Sequence, residues 1–351
     1  MKAQNIISEF SQVLKFQGGD PCVDILSPDH PKTKKPATLV YVSKTKDLES
    51  ALNSSAVCCI CEYKLIETAR DHFTTKGRCL LSSSNVNLAM ALVNMKFFSF
   101  RDNKTAFGKD LIHPSAIIHP TADIALSAVI GPNTTIGANC KIDENTVIGA
   151  NVTIEEAVVI GKDCHIHPQV YIAHHCILGD RCEVHPQTSI GTEGYGYAHD
   201  KQWNHYRIPH LGRSVLEDDV HIGAGVSIDR GTYEDSVIKR GTKIDNHCHL
   251  AHNHSIGKNS LITAGFIVAG STTIGKNYVA GGRTSVNGHI NITDNVQTAG
   301  MSAVTKDINT PGTYAGYPLM KHKEHLRAQA IIGKLPEMKK LLSAIIKKID
   351  L

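Results

Sequence analysis

From residue 112 onward an aliphatic side chain returns at every sixth position. Ile112, Ile118, Ile124, Ile130, Ile136, Ile142, Ile148, Ile154, Ile160, Ile166, Ile172, Leu178, Val184 and Ile190 form one unbroken series. Aliphatics make up only about a quarter to a third of an ordinary chain, so chance does not produce such a run. Glycine follows several members, as at Ile130-Gly131, Ile136-Gly137, Ile148-Gly149 and Ile160-Gly161. A period of six cannot be an α-helix, whose apolar face recurs near 3.6 residues. It fits a solenoid of short strands, each hexapeptide forming one wall and turning one aliphatic side chain inward. Three walls complete an eighteen-residue coil, and coils stack at the normal strand separation of about 4.8 Å. Asn, Asp, Gly and Pro between the apolar positions suit the corners.

The register breaks twice. Gly191 to Gly212, with the only tryptophan (Trp203), separates Ile190 from Leu216 and reads as an extruded loop. A four-residue insertion falls at Arg230 to Asp235, between Ile228 and Ile238. The six-step then resumes through Ile244, Leu250, Ile256, Ile262, Val268, Ile274, Ala280, Val286, Ile292, Thr298 and Val304. Loops extruded from a regular scaffold commonly carry function.

Outside the repeat the pattern changes. Residues 1–105 mix helical stretches (Asn5 to Lys15, Ser84 to Met95) with apolar strand-like runs such as Thr38 to Ser43, predicting a small α/β domain. Residues 106–310 are the solenoid. Residues 311–351 begin with Pro311-Gly312 and Gly316 to Pro318 and predict two helices, Leu319 to Ile332 and one opening at Pro336. The second has Met338, Leu341, Leu342, Ile345, Ile346 and Ile349 on one face and Lys339, Lys340, Lys347 and Lys348 on the other. Domain and helices are natural caps for the exposed strand edges at the ends of a solenoid.

Composition adds little. The net charge is +4 with His neutral, which does not indicate a polyanion-binding protein. The 10 cysteines are scattered, and Cys58, Cys59 and Cys61 sit in an apolar run that reads as a buried strand. No secretory leader and no apolar run of membrane-spanning length is evident, so a cytoplasmic protein is expected.

The 20 histidines concentrate in the solenoid, and Ile244 to Gly257 reads IDNHCHLAHNHSIG. Its Asp245, His247, His249, His252 and His254 leave three readings open: solvated surface, a zinc site using His247 and His252, or general-base catalysis by one oriented imidazole. Coil arithmetic puts Gly270 one coil beyond His252, and His289 two coils and one residue beyond it. A glycine there lets a ligand approach the main chain, as an oxyanion donor requires.

Six segments together resemble the UDP-3-O-acylglucosamine N-acyltransferase family of lipid A biosynthesis. They are HPSAIIHPTADI (His113 to Ile124), IGTEGYGYA (Ile190 to Ala198), IDRGTYEDSVI (Ile228 to Ile238), IDNHCHLAHN (Ile244 to Asn253), VNGH (Val286 to His289) and PGTYAGYPL (Pro311 to Leu319). The resemblance implies a left-handed β-helix, a homotrimer with active sites between neighbouring subunits, and no cofactor. The implied acceptor is UDP-3-O-(3-hydroxyacyl)-glucosamine, and the implied donor a 3-hydroxyacyl thioester on acyl carrier protein. By position, His252 matches the family's general base, Asp245 the carboxylate that orients it, Gly270 the oxyanion donor and His289 a second active-site histidine. Asn246 falls to substrate binding, and Cys248 to a structural role. The N-terminal domain would bind uridine, with Tyr41 at the first aromatic position; Lys44 and Asp47 stand where the family has Asn and a second aromatic. Ala303 stands where a bulky residue would close the acyl groove, which implies longer acyl chains. The segment from Lys321 to Leu351 has seven Lys and one Arg against two Glu and one Asp, suiting an acidic carrier protein.

Three alternatives are weighed. An O-acyltransferase of the same pathway would lack the N-terminal domain and the VNGH context. A carbonic-anhydrase-type hydrolyase would need zinc at a trimer interface. A non-enzymatic scaffold would have a flat, repetitive outer face.

Overall fold

The structure is a computed structural model describing residues 1–74, 77–98, 111–316 and 322–348, the side chains of 322–325 excepted. Two compact units divide the chain, Met1–Asp102 and Asn103–Leu351. The predicted boundary near residue 105 lies outside the described residues.

The first unit is a five-stranded sheet in the order β1-β5-β4-β3-β2. Its strands are β1 (Lys15–Gly19), β2 (Ser27–Pro28), β3 (Thr38–Val42), β4 (Cys58–Glu62) and β5 (Cys79–Ser83). Helices α1 (Ala3–Glu9), α2 (Thr45–Leu52), α3 (Ile66–Thr74) and α4 (Val86–Phe97) accompany it. β3, β4 and β5 pair in parallel and are buried on both faces, as their unbroken apolar runs require. The helix expected over Asn5 to Lys15 stops at Glu9, because Lys15 instead opens a strand that pairs antiparallel with β5. Asn85 caps α4, its side-chain oxygen accepting the Leu88 N–H at 3.0 Å.

The second unit is a left-handed parallel β-helix whose three walls are sheets of nine, ten and ten strands. Successive coils pair eighteen residues apart, as in Ile124 with Ile142 and Ile142 with Ile160. The six-step aliphatics form the buried axis, from Ile130 to Val304. A second inward column lies two residues before each of them and takes small thiols and hydroxyls, including Cys140, Thr146, Cys164, Cys176, Cys182, Thr188, Thr242 and Cys248. These groups bond across the coil to corner carbonyls, as Thr134 Oγ1 does to the Gly149 oxygen at 2.7 Å. From Asn133 on, the third residue after most axial positions takes a left-handed backbone, φ +56° at Asn133, +57° at Asn139 and +58° at Asn145. Asn tolerates this conformation better than most residues, which explains its recurrence at the corners.

Both insertions leave the ladder intact. Leu178 pairs with Leu216 across the first and Leu216 with Ile238 across the second. The first carries a small antiparallel hairpin, Tyr197–His199 with His205–Arg207. At the C-terminus α5 (His322–Ile332) and α6 (Leu335–Lys348) form. Leu319, the expected start of the first, lies outside the described residues, whereas the second begins one residue before the expected Pro336. The apolar stripe of α6 is exposed.

Candidate active site

Leu250 turns inward and pairs with Val268, so the residues following it form a corner directly beneath Ala269 and Gly270. The His252 carbonyl accepts the Ser271 N–H at 2.9 Å, and the Gly270 carbonyl accepts the His289 N–H at 3.0 Å. One chain therefore stacks His252, Gly270 and His289 on a single corner. The Gly270 N–H makes no backbone hydrogen bond among the described residues. A Cβ on Gly270 would lie 2.6 Å from Cε1 and 2.7 Å from Nε2 of His252, so the imidazole rests on bare backbone. Gly194, from the first insertion, covers the ring in the same way, with a Cβ there 2.9 Å from His252 Cδ2.

The hydrogen bonds fix the tautomer. Asn253 Oδ1 accepts the Thr232 N–H at 3.0 Å and the Thr232 hydroxyl at 2.9 Å. A backbone N–H only donates, so the atom facing it is the amide oxygen. His252 Nδ1 lies 2.9 Å from the same oxygen and must donate to it. In the neutral ring Nε2 is then the nitrogen without a proton, and it faces Gly270. The orienting chain Thr232–Asn253–His252 links the second insertion to the base.

Two more buried groups adjoin the ring. His210, also from the first insertion, sits edge-on to His252 with centroids 5.0 Å apart, and neither of its ring nitrogens has a partner among the described residues. Burial, reinforced by the neighbouring His252 charge, holds its pKa low. Asp229 is buried, accepts the Thr192 hydroxyl at 3.1 Å and lies 3.9 Å from His249 Nε2. Burial raises its pKa, against the pull of His249, Thr192, His252 and His210. Beneath them Arg230 is fully buried and donates to the Gly191 carbonyl at 2.7 Å and the His174 carbonyl at 2.6 Å. It also meets His174 Nε2, while His174 Nδ1 pairs with Glu155, pinning the root of the first insertion to the coils below.

The remaining predicted residues lie elsewhere. Asp245 and His252 occupy opposite ends of the wall His249–Leu250, and the Asp245 carboxylate takes the N–H groups of Asn246 at 2.8 Å and Ala264 at 3.2 Å. Within one chain the group that orients His252 is thus Asn253, not Asp245. Asn246 accepts the Ala224 N–H at 2.7 Å and, with Asp245, Lys243 and His221, borders a cleft of about 650 Å³. His289 and His247 are exposed corner residues with φ +58° and +57°. His254 was grouped with the outward histidines, but it lies two residues before Ile256 and therefore points inward. It is buried, its Nδ1 donating to the Ala251 carbonyl at 2.7 Å, and burial lowers its pKa to about 4. Cys248 is buried in the same column, and burial pushes its thiol pKa up. Ala303 is exposed on the wall of His249, in the column Ser227, His249, Ile267, Ser285, Ala303, and borders a second cleft of about 410 Å³. Tyr41 is half-buried and donates its hydroxyl to Asn94 Oδ1 at 2.8 Å. Asn253, Thr232, His210 and Gly194 were not singled out from sequence, although all but His210 lie in recognised segments.

Comparison with known proteins adds a second line. Residues 111–190 match the GMPPB C-terminal domain family. The UDP-3-O-acylglucosamine N-acyltransferase of Wolinella succinogenes is 44% identical over 168 residues, 48% of this chain and 53% of that protein. The chain thus aligns with about half the length of that relative. The enzyme of the same name from Methylococcus capsulatus is 38% identical over 314 residues, covering 88% of this chain and 87% of that protein. Among solved structures, an Arabidopsis UDP-N-acetylglucosamine acyltransferase aligns over 68% of this chain and 82% of its own, at 22% identity and a TM-score of 0.42. The match to the Methylococcus protein, 38% identical across most of both chains, places this chain in the UDP-3-O-acylglucosamine N-acyltransferase family.

Proposed function

We propose that the chain transfers a 3-hydroxyacyl group from acyl carrier protein to the 2-amino group of UDP-3-O-(3-hydroxyacyl)-glucosamine, a step of lipid A biosynthesis. The observation that carries this reading is the His252 imidazole, its Nδ1 held by Asn253 and its Nε2 laid against the bare backbone of Gly270. The neutral amine attacks the thioester carbonyl while Nε2 accepts one of its protons. A C–N bond forms, and the carbonyl oxygen becomes an oxyanion beside the Gly270 N–H. Collapse breaks the C–S bond, and the leaving thiolate takes the proton back from the imidazolium. The amine is the nucleophile, so no acyl-enzyme and no cysteine is needed.

The acyl chain runs along the exposed column Ile267, Ser285, Ala303, about 10 Å from end to end at the normal strand spacing. Asp245 completes the site from a neighbouring subunit of a homotrimer, because one chain holds it a full wall away from its own His252. His252→Ala is expected to lower kcat by roughly two to four orders of magnitude, the usual worth of a positioned general base. The measurement is N-acylation of the glucosamine acceptor with an acylated carrier protein; near-normal turnover would remove His252 from the mechanism.

A further inference from the structure

A second group of chemistry-bearing residues lies on another wall, away from the corner of His252. The segment His165-Ile166-His167 places two imidazoles on the same outward face, flanking the inward Ile166. One coil later Glu183-Val184-His185 repeats the arrangement, with a carboxylate in register with His165 and an imidazole in register with His167. The coil spacing brings the groups together. His167 is buried, its Nε2 3.0 Å from Glu183 Oε1, and the ring of His165 lies 4.0 Å from it, centroid to centroid. His185 stacks on His167 at 4.5 Å with its Nε2 3.4 Å from the same carboxylate oxygen. His221, one coil further, continues the column of Glu183.

We propose that His165, His167 and Glu183 form a divalent transition-metal site of zinc type, with an open fourth position adjoining His185. One ligand atom from each of the three lies within 4.8 Å of the others. Tetrahedral zinc, with bonds of about 2.0–2.2 Å to nitrogen and oxygen, requires only a modest inward rotation of the three side chains. Two imidazoles and one carboxylate are a borderline ligand set, suited to zinc more than to calcium or magnesium. The ligands come from two successive coils, so a bound ion staples one coil to the next. This site is independent of the acyl-transfer reading.

The test is calorimetric titration of Zn2+ into the untagged full chain after chelator treatment and dialysis. One equivalent per chain is expected, with binding weakened at least about tenfold in His165→Asn and in Glu183→Gln. His119→Ala, at an exposed corner outside the cluster, should bind as the parent does. Far-UV circular dichroism and acyl transfer confirm that each variant is folded, and His165→Asn changes only a half-exposed side chain. Zn2+ binding of the same stoichiometry and affinity in all variants, or none below 100 times the protein concentration (roughly 1 mM), overturns the proposal.

Discussion

Two neighbouring side chains, Asn253 and His254, do opposite things to a proton. Asn253 keeps one on His252 Nδ1 and thereby frees Nε2. Asn253→Gly removes that acceptor at a corner whose φ of +58° glycine adopts without strain. It should reduce kcat about tenfold to a hundredfold, part of what a positioned base contributes, with KM little changed. Asn253→Asp keeps an acceptor and adds a negative charge beside the imidazole, so activity should persist while the acidic limb of the pH–rate profile moves upward. Equal losses in both variants would indicate a purely structural role. His254 instead must stay neutral inside the coil. Its folded pKa of about 4 lies below the ordinary 6.5, so the unfolded chain binds the extra proton first as pH falls. Stability tied to this group is therefore full above pH 6.5 and is lost as pH drops toward 4, by roughly 3 kcal/mol. His254→Cys, matching Cys248 in the same column, should flatten the decline of the denaturation midpoint between pH 6.5 and 4. Glu183, depressed to about 2, acts only below pH 4.5, so the upper part of that window is free of its contribution.

The hexapeptide makes the strands and corners almost fully readable from sequence. Each sixth aliphatic fixes which side chains point inward, and the two insertions appear as breaks in the count. His254 was legible by the same rule, since it stands two residues before Ile256 as Cys248 stands before Leu250. The pairing of Asn253 with His252 was not legible, because it depends on how the Thr232 loop folds over the corner, and no period governs an insertion. Tyr41 illustrates the same limit in the first unit: its strand was evident, but the destination of its hydroxyl depends on the packing of α4. Not every corner holds Asn or Gly. Ala157 holds φ +54° with its N–H bonded to the Ala138 carbonyl at 2.7 Å, a backbone that costs an alanine roughly 1–2 kcal/mol. Ala157→Asn or Ala157→Gly should raise the denaturation midpoint, by up to about 1 kcal/mol of stability. No change in midpoint would mean that this corner relaxes without cost.

The trimer proposed above requires Asp245 of one subunit to serve His252 of the next. Co-expression of His252→Ala and Asp245→Ala subunits tests this directly, because a mixed trimer contains interfaces where both residues are intact. Random mixing of two inactive subunits in a symmetric ring should restore roughly a quarter of the parent activity. If both residues act within one subunit, mixing restores nothing.

The unbroken ladder across the insertions also bears on how such an enzyme changes over generations. The first adds twenty residues beyond the normal eighteen between Leu178 and Leu216, and the second adds four between Leu216 and Ile238, yet the strands on either side remain in register. A corner can thus acquire new sequence without any core residue losing its neighbour. His210 and Gly194 reach the His252 ring from the first insertion, and Thr232 reaches Asn253 from the second. Lineages of this architecture can therefore explore new substrates by lengthening their corners, while selection on the buried axis keeps the framework unchanged.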